Sequence, residues 1–158
     1  MIPAQQATLK AYILATPALA AMTSGPGTDR AGIAAALSAE AAPAFYVWRS
    51  SYSPQEMRAA MCVNLGTAQL DALTAAKRDA LLWFIGDTVN PSDPAIVATL
   101  QDFCGSQNTL KASLIDGAKR KATLAEKLLA TGTGTLAACA TATYEGGVSI
   151  DDVVAILS

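Results

Sequence analysis

AEKLLATGTGT, residues 125–135, decides how the C-terminal half of the chain is organised: a basic, Leu- and Ala-spaced helix stops at once in a Thr/Gly run. The helix it ends is expected to be the longest, about residues 107–130, with Ser106 as its cap. On a helical wheel Leu110, Leu114, Ala118, Ala125, Leu128 and Leu129 share one face, and Asp116, Arg120 and Lys127 gather opposite it. Beyond the stop, residues 131–148 are Gly/Thr-rich and carry no helical period. Thr131, Thr133 and Thr135, then Thr141 and Thr143, alternate with small residues as in an extended arm that pairs as a strand or short hairpin. The alternative is an ordinary surface loop, although about 18 residues without helix is long for a passive connector. Ser149-Ile150-Asp151-Asp152 then opens a short C-terminal helix, its aspartates matching the positive end of the helix dipole.

Working outward, the N-terminal half reads as further helices. Residues 3–22 form one that Pro17 interrupts and SGPG, residues 24–27, ends; Thr28 caps a second over about 29–39. AFYVWRSSY, residues 44–52, is aromatic and β-branched, hence extended or a short strand. Ser53-Pro54-Gln55-Glu56 has the capping-box arrangement, opening a helix with Met57, Ala60 and Met61 inward that ends before residues 64–66. Thr74 caps a helix through Ile85 whose run Leu81-Leu82-Trp83-Phe84-Ile85 predicts a central position, with Trp48, Trp83 and Phe84 in the core. Ser92 or Asp93 caps another through Phe103. The fold class is therefore all-α: six or seven helices in a single domain spanning 1–158, with 131–148 as the arm.

Composition agrees with that class and narrows function. At 158 residues and 52% hydrophobic content the chain is long enough for one core, and its abundant alanine lets helices pack closely. A formal charge of -2 gives no global attraction to nucleic acid. Lys119-Arg120-Lys121 with Lys111 and Lys127 make the penultimate helix locally basic, either complementing its dipole or meeting an acidic partner or DNA phosphate. Cys62, Cys104 and Cys139 are odd in number and widely spaced, which predicts reduced, buried thiols. AYILATPALA, residues 11–20, is not expected to act as a signal peptide: no basic residue lies in 1–9, and Thr16-Pro17 breaks the apolar run.

Catalytic patterns are missing from the sequence. There is no histidine, so no Ser-His-Asp or Cys-His pair, and no serine stands three before a lysine. Gly132 and Gly134 follow a helix rather than a strand and lack the phosphate-cradling GxxxxGK[ST] pattern. The expectation is a protein without catalytic residues, cofactor or metal, whose contacts are carried by Thr131, Gly132, Thr133, Gly134, Thr135, Thr141, Thr143 and Tyr144 in the arm and Arg120 and Lys127 on the basic face.

PAFYVWRSSYS (43–53), LTAAKRDALLWF (73–84), VNPS (89–92) and KATLAEKLLATGTGT (121–135) followed by Tyr144-Glu145-Gly146-Gly147 occur in an order that resembles a family of small proteins encoded among the head and tail genes of tailed bacteriophages. Leu81-Leu82 departs from that family's more polar, Trp-rich pattern, and the linker before Thr74 lacks its charged turn. The resemblance implies a virion protein assembled in the bacterial cytoplasm, a head-to-tail adaptor ringing the portal. Its expected partners are the portal protein, neighbouring copies of itself and tail proteins, with passing contact to DNA and none to membrane. A capsid-stabilising or tail-associated protein, or a cytosolic helical binding module, stays open beside it.

Overall fold

The structure, a computed structural model, describes residues 1–24, 28–64 and 67–158. The breaks expected at SGPG and at 64–66 fall, for residues 25–27 and 65–66, outside the described residues. In chain order the first elements are α1 (Pro3–Ala15), α2 (Pro17–Ala21), α3 (Arg30–Ser38), β1 (Tyr46–Trp48), α4 (Pro54–Asn64) and α5 (Thr67–Asp71). There follow α6 (Ala75–Phe84), α7 (Pro94–Cys104), α8 (Asn108–Gly117), β2 (Lys119–Lys121), α9 (Leu124–Leu129) and α10 (Ile150–Leu157). The chain is mostly helical, with a two-stranded sheet of β1 and β2 that the all-α expectation omitted. Ten shorter helices stand among the described residues where six or seven were expected.

These elements group into two compact units, one of residues 1–47 with 121–158 and one of residues 48–120. The first is built from α1, α2, α3, α9 and α10, whose Leu9, Ile13, Leu19, Ile33, Leu37, Ala125, Val153 and Ile156 form a buried cluster. Pro17 separates α1 from α2 as its ring geometry requires. Asp29, not Thr28, caps α3, its carboxylate accepting from Gly32 N at 2.8 Å. Ser149 and Asp152 make the expected reciprocal cap on α10, Ser149 Oγ accepting from Asp152 N at 3.1 Å and Asp152 from Ser149 N at 2.9 Å.

The second unit packs α4, α6, α7 and α8 around Met57, Leu81, Leu100, Cys104, Leu110 and Leu114. The Ser53–Glu56 capping box opens α4, and Glu56 also receives Arg49 Nη1 at 2.8 Å. Thr74 caps α6 and Asp93 caps α7, as expected. Ser106 does not cap α8; Gln69 Oε1 accepts from Leu110 N at 3.0 Å and satisfies that first turn.

The long helix expected over 107–130 is broken. Gly117, about 1 kcal/mol worse than alanine inside a helix, ends α8, and the next backbone groups pair with the segment around β1. Ala118 O accepts from Arg49 N at 3.0 Å, and Ala122 N donates to Phe45 O at 2.8 Å. Thr123 then restarts helix, its Oγ1 accepting from Glu126 N at 3.3 Å while Glu126 Oε2 accepts from Thr123 N at 2.8 Å. The single wheel face read from the sequence is therefore two faces: Leu110, Leu114 and Ala118 belong to the second unit's core, Ala125 to the first's.

Two buried acids give the second unit an alkaline limit. Burial pushes the Tyr52 phenol up to about 12 and the Cys104 thiol up to about 11, from ordinary values of 10.0 and 9.0. Both folded values are raised, so their contribution is complete below pH 9.0 and is lost as pH rises toward about 12, where the unfolded chain ionises first. The unfolding free energy from urea titrations followed by fluorescence of Trp48 and Trp83, both in this unit, should fall across that window at up to about 1.4 kcal/mol per pH unit for each group. Tyr52→Phe should flatten the upper part.

Candidate interaction surface

The Thr/Gly segment is not a free arm. Thr131 and Thr141 exchange both backbone hydrogen bonds at 2.9 Å, closing residues 131–141 into a hairpin-like loop. Its far end is tied by Thr133 Oγ1 donating to Ala138 O at 2.9 Å and Ala138 N donating to Thr135 Oγ1 at 3.0 Å. This closed loop docks on the edge of β1: Tyr46 N donates to Gly134 O at 2.8 Å and Ala140 N to Tyr46 O at 3.0 Å. Gly134 has φ +65, and a Cβ there would stand inside the Phe45 ring, so the position needs glycine for both conformation and space. Val47, Ala122 and Ala140 form a small buried cluster beneath the loop, apart from the main cluster of that unit.

Residues 142–148 are held by a different anchor. Thr143 Oγ1 donates to Leu129 O at 2.6 Å, and Gln5 Nε2 donates to Thr143 O at 2.9 Å. Glu126, only 1% exposed, uses its second carboxylate oxygen to accept from Gly146 N at 3.0 Å, so one side chain both caps α9 and pins the returning chain. Tyr144 Oη donates to Gly147 O at 2.8 Å, and burial raises its phenol above the ordinary value. Val148 N donates to Ser38 Oγ at 2.8 Å, bringing the chain to α10.

Of the residues singled out in the sequence, Thr131, Gly132, Thr133, Gly134, Thr135 and Thr141 are thus gathered in the loop, with Thr143 and Tyr144 at its root. Thr131, Thr133, Thr135 and Thr141 are exposed, whereas Gly134 is buried against Phe45. Arg120 and Lys127 do not share one helix: Arg120 lies in β2 within the second unit, and Lys127 lies on α9 within the first. The surrounding cations are partnered. Lys119 Nζ reaches Asp116 at 2.9 Å, Lys121 Nζ reaches Glu40 at 2.7 Å, and Lys127 Nζ stands 6.0 Å from the Phe45 ring centre.

The sequence reading missed Glu126, although Thr123-Leu124-Ala125-Glu126 spells a capping box, and it missed Phe45 as the seat of the loop. It also placed Trp83 in the core, whereas Trp83 is 75% exposed and Leu82 48%. Trp48 and Phe84 are partly buried against the second unit's cluster. Only Cys104 of the three free thiols is buried; Cys62 is exposed and Cys139 intermediate. At the loop's end Leu136 is 52% exposed.

Among the described residues no group of three or more His, Cys, Asp or Glu side chains gathers to hold a metal ion. Among them, too, no helix is long and apolar enough to cross a membrane. No family model, curated protein or solved structure matches the chain.

Proposed function

We propose that the chain is a non-enzymatic structural subunit of a tailed-phage particle, a head-to-tail adaptor that forms a ring on the portal. The observation that carries this reading is the docked loop: threonine side chains and backbone bonds hold residues 131–141 in one shape, with Leu136 at its outer end. A loop fixed in that way loses little conformational entropy on binding, which suits a contact surface. Residues 131–141 are Thr, Gly and Ala with Leu136 and Cys139, and they include no carboxylate, amine or imidazole to serve as acid or base beside the Cys139 thiol. A ring also requires two different surfaces, because head-to-tail contacts join unlike patches of successive copies. Exposed Leu136 on the first unit and exposed Trp83 with Leu82 on the second supply two such apolar features. The setting, with portal and tail proteins as partners and assembly in the bacterial cytoplasm, is the one implied by the resemblance of the motif order to proteins encoded among phage head and tail genes. The pairing of Lys119 and Lys121 with carboxylates leaves DNA a passing contact at most.

Electron microscopy of the particle reads the position and copy number directly, and density for this chain anywhere except between portal and tail refutes the adaptor role. Leu136→Asp is the matching perturbation. As an exposed substitution it should leave stability within about 0.5 kcal/mol while reducing the yield of joined heads and tails at least tenfold. Normal joining by a folded Leu136→Asp protein would remove the loop's end from the contact.

A further inference from the structure

We infer that the C-terminal end of α6 is a docking site for a basic segment of another protein, one that lays an arginine across the Trp83 indole and sets an apolar side chain against Leu82. The inference rests on the proposed subunit role only in taking these two residues as a contact, and it names the chemistry of what they meet. Trp83 is 75% exposed and Leu82 48%. An indole so placed contributes little burial to the fold, whereas tryptophan is among the side chains that most often dominate a protein contact. The patch also stands on a firm base. Leu81 and Ile85, which face the other way, are buried in the second unit's core; Thr74 caps the helix, and the Phe84 ring meets Phe103 edge-on at 5.4 Å between centroids. Little order is therefore lost when a partner binds.

Charge decides what that partner is. Asp79 lies one helical turn before Trp83 on the same face of α6. Past the helix, Gly86 N donates to Trp83 O at 3.0 Å and Asp87 N to Phe84 O at 3.4 Å, so the chain keeps turning and Asp87 stays close to the helix end. Both aspartates are exposed, and among the described residues neither carboxylate has an ion pair. The cations of the same helix are already engaged, Lys77 Nζ with Asp102 at 3.2 Å and Arg78 Nη1 with Asp71 at 3.9 Å. No basic residue stands in the last turn to offset the negative end of the helix dipole. The π face of the indole adds negative potential of its own. All of these attract a cation, and arginine fits them together, because its planar guanidinium stacks on a ring while its N–H groups reach a carboxylate. A small quaternary ammonium compound calls instead for a cage of several aromatic rings, and Trp83 is the one exposed aromatic side chain among the described residues.

The probe is a short, end-capped peptide of alternating arginine and leucine, titrated into the isotopically labelled full chain and followed by NMR. The Trp83 indole N–H, assigned with Trp83→Ala, and the Asp79 and Asp87 amides should shift together and saturably. Trp83→Ala, and Asp79→Asn combined with Asp87→Asn, should each weaken binding at least about fivefold. The same peptide with citrulline for arginine, alike in shape but uncharged, should leave these signals in place. All three positions are exposed, so the variants keep the fold, which their remaining amide signals check directly. Asp151→Asn removes an exposed charge from the first unit and should not change the affinity. An equal loss there would mean that net charge alone holds the peptide, and the site would be overturned. No shift at Trp83, or full affinity in Trp83→Ala, overturns it as well. So does an oligomer, seen by ultracentrifugation without peptide, that Trp83→Ala dissolves, since a second copy would then be the occupant. These readouts are independent of the particle. Peptide binding without virion location would defeat only the adaptor reading, and virion location without binding only this one.

Discussion

Glu126→Ala should destabilise the first unit by about 3 kcal/mol, since a carboxylate that is 1% exposed accepts from both Thr123 N and Gly146 N. Alanine leaves those two donors without their charged acceptor, and each bond to a charged group is worth about 1.5–3 kcal/mol. It also deletes half of the α9 capping box, which acts at the point where the helix must restart after β2. Glu126→Gln retains one acceptor oxygen for one of the two amides and should lose less. Because neither tryptophan belongs to this unit, far-UV circular dichroism and amide exchange are the suitable measurements. The Gly146 amide should exchange at least tenfold faster in Glu126→Ala. A loss below about 1 kcal/mol would show that water satisfies the freed amides and that Glu126 is no anchor.

Gly117→Ala should cost the second unit about 2 kcal/mol, although alanine is the better helix former by about 1 kcal/mol. A Cβ at this position would collide with the Tyr52 hydroxyl and stand 3.0 Å from the Ala60 Cβ. Tyr52 is fully buried, and its hydroxyl has no hydrogen-bond partner among the described residues. Removing that hydroxyl relieves an unpaired buried dipole, so Tyr52→Phe alone should stabilise the unit by about 1 kcal/mol. Combined, the two substitutions should not add: with the oxygen gone, the cost of alanine at 117 should fall by at least half. Denaturant midpoints of the four proteins measure this coupling, and strict additivity would mean that Ala60, not Tyr52, is what glycine makes room for.

Local signals were the legible ones. Ser53 with Glu56, Thr74, Asp93 and Ser149 with Asp152 each satisfy first-turn amides within three residues, so their helices start where the sequence places them. Thr123 with Glu126 is an equally local signal, but it was hidden by phase. Ala118 and Ala125 are seven residues apart, about two helical turns, so the apolar stripe continues across the interruption as though the helix did. The run from Leu81 to Ile85 misled for a related reason. Successive helical residues point about 100° apart, so five in a row cannot all face inward; Leu81 and Ile85, four apart, are buried, and Leu82 and Trp83 point outward. The seat of the Thr/Gly loop was not legible at all. It depends on Phe45 meeting Gly134 across most of the chain, and no local pattern encodes a contact between residues so distant in sequence.

The interleaving of the two units sets an order of folding during synthesis. Helices α1, α2 and α3 leave the ribosome with Leu9, Ile13, Ile33 and Leu37 uncovered, and their partners on α9 and α10 come only after the second unit has been made. At about 5–20 residues per second, that gap of about 70 residues lasts several seconds. The second unit, continuous in sequence, can meanwhile complete its own core. The N-terminal helices are thus the chain's exposed apolar surface during translation, and the stretch on which a holding chaperone would act.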